Sequence, residues 1–146
     1  MIEKTMEMWH QQLRGELEGG LDTLLHDDCV FYSPIVFSPQ KGKDLTKLYL
    51  SAAGNTFSGG EETEKALHAD DNAEGKKFHY IKEVMSGHNA VLEFETEIDG
   101  KYINGIDMIT CDDDGKITEF KVMIRPLQAI QLMHAKMAAM LDKMKN

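Results

Sequence analysis

Apolar and polar residues alternate along Tyr102–Pro126 in two runs, parted by Asp112, Asp113, Asp114 and Gly115. Ile, Val, Phe and Thr dominate both runs, a β-strand composition. Asp-Gly is the favoured pair for a two-residue type I′ turn, where both central residues need positive φ. A second such pair, Asp99-Gly100, separates the alternating run Ala90–Ile98 from the strand beginning at Tyr102. Three antiparallel strands are therefore predicted. Two-residue turns set Ile98 opposite Lys101, Leu92 opposite Asp107, Asp107 opposite Val122 and Ile109 opposite Phe120. Because alternate residues share a face, one face collects Leu92, Phe94, Thr96, Ile103, Gly105, Asp107, Ile109, Phe120, Val122 and Ile124. The other holds Glu93, Glu95, Glu97, Tyr102, Asn104, Ile106, Met108, Lys121, Met123 and Arg125, with Arg125 expected to pair with Glu95 across Asn104. A bulge in either turn would slip the register by one residue and exchange the faces.

Upstream, Ile2, Met6, Trp9, Leu13, Leu17, Leu21, Leu24 and Leu25 recur every three or four positions, an amphipathic helical pattern. Gly19-Gly20 splits it, and the second helix is predicted over Leu21–His26, placing His26 at a helix C-terminus where a cation is favoured. Cys29–Tyr32 reads as a short strand ended by Pro34. Asp44 is the predicted N-cap of a helix reaching Phe57, with Leu45, Leu48, Tyr49 and Ala52 on one face. The following SGGEETEKALHADDNAEGKK is acidic and Gly-rich and reads as a solvated loop. Lys77–Met85 is a strand of open register: either Phe78, Tyr80 and Val84, or His79, Ile81 and Met85, join the Asp107 face. From Leu127 to Lys145 a helix carries Leu127, Ile130, Met133, Met137, Met140 and Met144 as a near-heptad stripe. That stripe can pack on the sheet, cover a pocket mouth or pair with a second subunit.

Asp107 is the one charge on the apolar sheet face. Burial penalises its ionised form and raises its pKa, so it can stay protonated near neutrality and donate a proton or hydrogen bond to a ligand oxygen. The competing reading is an Asp tied to backbone or a Tyr to fix the sheet.

Composition narrows the classes. With 146 residues, 42% of them hydrophobic, the chain suits one domain, 1–146, with a real core. The net charge of −9 argues against nucleic acid and anionic membranes as partners. No apolar run reaches a membrane span and MIEKTMEMWH lacks a signal-peptide core, so a cytoplasmic protein is expected. Cys29 and Cys111 make no disulfide framework. There is no CxxC, HExxH, phosphate-binding glycine loop or GxSxG, and neither a metal nor a cofactor is expected.

Two stretches, DDCVFYSPIVFSPQKG and NGIDMITCDDDGKITEFKVMIRP, together with the order helix, helix, short strand, helix and a meander of long strands, resemble the nuclear transport factor 2-like superfamily. The resemblance spans nearly the whole chain and is to its SnoaL-like members, the polyketide cyclases and ketosteroid isomerase-like proteins. It implies an α+β, cystatin-like cone: a curved antiparallel sheet wrapped by N-terminal helices, with a C-terminal helix. In the ketosteroid isomerases an Asp before Pro is the general base, and that position here is Ser33. Their oxyanion-stabilising Asp matches Asp107, eight residues before Gly115, and their first-helix Tyr falls at Trp9, leaving Tyr32 or Tyr49 as substitutes. Authentic ketosteroid isomerase activity is therefore not expected, since shuttling a proton between two carbons of a steroid needs a base as well as an acid. In the SnoaL-like cyclases a single pocket Asp serves as acid and base, a role Asp107 alone could fill.

The expected protein thus encloses an apolar pocket with Asp107 at its floor and Trp9, Leu13, Tyr32, Tyr49, His79, Leu92, Phe94, Ile109, Phe120 and Val122 as ligand-binding walls. Its expected partners are a hydrophobic small molecule and a second copy, the homodimer forming through the outer sheet face. The functional choices are a cofactor-free isomerase or cyclase, a non-catalytic binding module, or an interaction scaffold.

Overall fold

The computed structural model describes residues 1–58 and 77–145. The acidic segment read as a loop lies, from residue 59 to 76, outside the described residues. The elements are α1 (Ile2–Leu13), α2 (Leu21–Leu24), β1 (Leu25–Tyr32), β2 (Gln40–Lys41), α3 (Lys43–Ser58), β3 (His79–Ser86), β4 (Asn89–Ile98), β5 (Lys101–Cys111), β6 (Ile117–Arg125) and α4 (Leu127–Lys145). Among the described residues six strands form one curved sheet in the order β2-β1-β6-β5-β4-β3, with the helices on its concave side. This is the expected α+β cone, with one difference: β1 runs parallel to β6.

The central meander follows its turn chemistry. Ile98 lies opposite Lys101, Leu92 opposite Asp107, Asp107 opposite Val122 and Ile109 opposite Phe120. At the first turn both Asp99 and Gly100 take positive φ, 53° and 76°, as a type I′ turn requires. The second turn differs from the two-residue form. Asp112 Oδ1 accepts from the backbone N–H of Asp114 and Lys116, both at 2.9 Å, and builds a longer loop closed by left-handed Gly115. A register shift between Thr110 and Cys111 absorbs the extra residue, so the faces are not exchanged. Along β5 the concave-face positions Ile103, Gly105, Asp107 and Ile109 are all buried. Gly105 is required by space: a Cβ there would lie 2.5 Å from Phe94 Cζ and 2.5 Å from the Met123 carbonyl oxygen.

Four local readings are corrected. The second helix starts at Leu21 as expected but ends at Leu24, and β1 begins at Leu25, so His26 sits in a strand, where its Nδ1 accepts from the Asp28 N–H at 2.9 Å. Helix α3 starts one residue before Asp44, which occupies its first turn instead of capping it; its buried residues are Thr46, Leu50, Ala52 and Thr56. Strand β3 obeys neither open register throughout. A bulge between Tyr80 and Lys82 sends Tyr80 inward but turns Val84 outward. Arg125 does not pair with Glu95: its Nε donates to Asn104 Oδ1 at 2.7 Å, while Glu95 holds His79 and Tyr102.

Among the described residues two apolar clusters form the interior, one around Trp9, Phe31 and Phe120, the other around Phe94, Ile103 and Met133. Tyr80 and Val122 pack against both. Helix α4 has the predicted bounds, with Ala129 and Met133 buried, whereas Leu127, at the head of the predicted stripe, is exposed. Among the described residues no helix is long and apolar enough to cross a membrane, and both cysteines are free and buried.

Candidate functional site

Asp107 stands on the concave face of β5 beside the apolar side chains of β4 and β6, and it is 5% exposed. It borders a cavity of about 1090 Å³. Its carboxyl Oδ2 accepts from the Tyr80 phenol at 2.6 Å, a short bond of the kind made to an acid oxygen. Tyr80 O in turn accepts from the Trp9 indole N–H at 3.0 Å.

The chain has one direction. An indole N–H can only donate, so the Tyr80 oxygen receives that hydrogen and points its own toward Asp107. With Oδ2 already accepting, the proton of a neutral Asp107 belongs on Oδ1. Removal from water lifts the Asp107 pKa from 3.8 to about 7, with the Tyr80 hydrogen bond pulling the other way. Tyr80 is driven well above its ordinary value by burial first, then by the neighbouring Asp107 charge, and so stays protonated. The site therefore holds one group that exchanges a proton near neutrality and one phenol that does not.

Aromatic rings flank this chain on both sides. Trp9 lies 5.0 Å from Phe120 between ring centroids, and Phe31 stacks on Tyr49 at 5.5 Å. Phe78 lies 4.9 Å from Phe94 and 5.2 Å from Phe57. Helix α4 closes over the cavity with Met133, Met137 and Leu141, so of its three possible roles it both covers the pocket and packs on the sheet.

Trp9, Leu13, Tyr49, Phe120, Val122 and Asp107, all singled out in the sequence, line one cavity. Four expected wall residues do not. Leu92, Phe94 and Ile109 are buried in the packing beneath, and Tyr32 lies beside Lys121 on the other face of the sheet, its ring 4.7 Å from the Lys121 ammonium. Strand parity explains this correction: Phe31, the neighbour of Tyr32, pairs with Phe120 and takes the inward place. His79 borders the cavity, yet its Nε2 is 3.2 Å from Glu95 and its Nδ1 2.7 Å from the Lys77 carbonyl oxygen. It is no proton partner of Asp107.

No protein-family model matches the chain, and no curated protein matches it. Solved structures do. A steroid delta-isomerase from Pseudomonas aeruginosa is 29% identical, with a TM-score of 0.79 over 97% of this chain and 92% of that one. An uncharacterised protein with a cystatin-like fold from Silicibacter pomeroyi shares 22% identity at a TM-score of 0.68, covering 92% of this chain and 83% of its own. A nuclear transport factor 2-like protein of unknown function from Mesorhizobium loti shares 17% at 0.61, covering 85% and 93%. The chain has the fold of the nuclear transport factor 2-like, SnoaL-like superfamily.

Within this superfamily fold, Ser33 lines the cavity where the resemblance puts a general base. Its Oγ accepts from the N–H groups of Ile35 and Val36 at 3.0 and 3.2 Å, so it shapes the turn after β1. The phenol sought at Tyr32 or Tyr49 comes instead from Tyr80 on β3. Tyr80 was one of two register choices, and the bulge that decides between them has no sequence signature. Among the described residues no group of three or more His, Cys, Asp or Glu side chains is placed to hold a metal.

Proposed function

We propose that this SnoaL-like protein binds an apolar small molecule bearing a carbonyl group and moves a proton on it through Asp107, without a cofactor. The observation that carries this reading is a carboxyl with a pKa of about 7 in the wall of a large apolar cavity. General acid–base catalysis is most efficient when the catalytic pKa lies near working pH. Ionised Asp107 takes a proton from the carbon next to the carbonyl as the C–H electron pair moves to the carbonyl oxygen. The neutral acid then returns the proton at another carbon, giving an isomer, or the enolate carbon closes onto a second carbonyl, whose oxygen takes the C=O electron pair and the proton back from Asp107. Tyr80 stays protonated and holds Oδ2, leaving Oδ1 as the exchanging atom.

The test is a β,γ-unsaturated cyclic ketone incubated in deuterium oxide. Absorbance reports its shift into conjugation and NMR reports exchange at the α-carbon. Asp107-dependent exchange supports the proposal, and exchange that survives Asp107→Asn refutes it. Ser33 favours a second reading: with the usual base position committed to a turn, the cavity could hold its ligand without chemistry. Tight binding with no exchange is its signature. For assembly we propose a homodimer through the outer sheet face, where Tyr102 and Met123 are exposed. Sedimentation of Met108→Glu/Met123→Glu as a monomer supports it, and an unchanged profile counts against it.

A further inference from the structure

Proton removal beside a carbonyl leaves negative charge on the carbonyl oxygen, and that charge is best held by a fixed hydrogen-bond donor. The two donors next to Asp107 are already spent: the Trp9 N–H is given to Tyr80, and the Tyr80 O–H to Asp107 Oδ2. A donor for the ligand has to come from another part of the wall.

The sheet register sets one level with Asp107. Strand β1 lies along β6 with Phe31 opposite Phe120 and Tyr32 opposite Lys121, so the next residues along, Ser33 and Val122, stand side by side. Val122 in turn lies opposite Asp107 on β5. Alternation turns Phe31 inward, Tyr32 outward and Ser33 inward again, and Ser33, Val122 and Asp107 all line the cavity. The three form a row across the concave face. Two strand spacings, about 10 Å, part the backbones of Ser33 and Asp107.

The Ser33 hydroxyl can act in one way only. Its Oγ accepts from the N–H groups of Ile35 and Val36 at 3.0 and 3.2 Å, which fills both lone pairs of a hydroxyl. Its own hydrogen has no acceptor among the described residues. The side chain is thus a donor, held in place by the turn it closes. A C–C=O unit with its α-carbon at Asp107 Oδ1 and its oxygen on a hydroxyl spans roughly 8 Å between the two side-chain oxygens. That matches a ligand lying across Val122.

We propose that Ser33 is the catalytic hydrogen-bond donor to the ligand's carbonyl oxygen, facing Asp107 across Val122, so that the ligand presents its carbonyl to β1 and its α-carbon to β5. This rests on the proton-transfer reading of Asp107 and adds the group that meets the developing charge. As Asp107 Oδ1 takes the α-proton, the C–H pair forms the new C=C bond and the C=O pair moves onto oxygen. There the Ser33 hydrogen bonds it without being transferred. When neutral Asp107 returns its proton to another carbon, the charge leaves that oxygen.

The probe is a bicyclic α,β-unsaturated ketone, the octalin-2-one enone, carbon-13 labelled at its carbonyl, with its β,γ-unsaturated isomer as substrate. In the wild type the infrared carbonyl stretch of the bound enone is expected below its position in hexane, and in Ser33→Ala it is expected to return to that position. Exchange of the β,γ isomer in deuterium oxide is expected to fall about 10²-fold in kcat, with KM nearly unchanged. Ser33→Thr, which keeps the hydroxyl, is expected to restore most of it. A loss of exchange with the stretch unmoved assigns Ser33 to the turn alone and overturns the proposal. A wild-type stretch at the hexane position does the same and needs no variant. Exchange that survives Ser33→Ala overturns it too, and leaves Asp107 as the acid–base group. Failure of the wild type to bind the enone or exchange its isomer, or exchange that survives Asp107→Asn, overturns the proton-transfer reading beneath, and this inference with it.

Discussion

Asn104 and Asp107 lie three residues apart on β5, on opposite faces, and are buried to nearly the same degree. Their surroundings differ. The Asn104 amide donates to Glu93 at 3.0 Å and to the Phe94 carbonyl at 2.9 Å, and its oxygen accepts from Arg125 at 2.7 Å. Every strong site on that amide is used, and the group it anchors is the sheet itself. Asp107 takes the Tyr80 phenol and otherwise faces apolar rings and a cavity. A buried polar group that is fully satisfied fixes structure, whereas one left in an apolar wall with a shifted pKa stores chemistry at a cost in stability.

Swapping the polar group at each position separates the two roles. Asp107→Asn is expected to lower proton-transfer turnover about 10²–10⁴-fold, the usual range for a lost general acid–base, with the fold retained by circular dichroism. Turnover unaffected by the change would make Asp107 the structural counterpart of Asn104.

Next in size is the pH dependence of stability. Because the folded pKa of Asp107 is raised, from 3.8 to about 7, its proton is bound more tightly in the folded state. Its contribution is fully present below pH 3.8 and is lost as pH rises through about 7. The size is on the order of 4 kcal/mol if the whole shift is realised. Urea denaturation at pH 5 and pH 8 should show the wild type weakening at the higher pH more than Asp107→Asn does. Equal slopes would contradict the raised pKa.

Asn104→Leu should cost about 1–3 kcal/mol by orphaning the Phe94 carbonyl and the inner face of Glu93 and Arg125. It should leave turnover unchanged. A loss of activity as large as that of Asp107→Asn would erase the contrast between the two faces.

The smallest effect belongs to Tyr80→Phe. The Tyr80 bond lowers the Asp107 pKa, so its removal should move the pH at which proton transfer sets in upward. Trp9→Phe should act the same way and more weakly, since its N–H holds the Tyr80 oxygen. A downward move would reverse the assigned direction of the Trp9–Tyr80–Asp107 chain.

What could be read in advance follows the length scale of each determinant. The register of β4, β5 and β6 is set by local Asp-Gly turns and strict alternation, so the face of Asp107 was legible from a few residues. Even the bulged second turn kept it, since one bulge and one extra loop residue cancel. Helix α4 was legible because Leu127–Lys145 is long and uninterrupted. The β3 bulge was not, because Phe78–Met85 offers apolar residues to either face and packing against α1 makes the choice. The parallel pairing of β1 with β6 is likewise a tertiary outcome, and with it the preference for Phe31 over Tyr32 in the cavity. Tyr80 was missed as a partner for the same reason, and His26 because a leucine-rich run fits strand and helix alike. The position of Asp107 was legible by its distance from Gly115.

The central claim is that Asp107 titrates near neutrality inside a ligand cavity. Carbon-13 NMR of protein carrying labelled aspartate carboxyls, with Asp107→Asn used to assign the resonance, measures it directly. A carboxyl resonance titrating at about 7, and absent from the variant, is the expected result. An Asp107 resonance already ionised at pH 5, in the ordinary carboxylate range, would contradict the account and return this residue to the structural role that Asn104 plays on the other face.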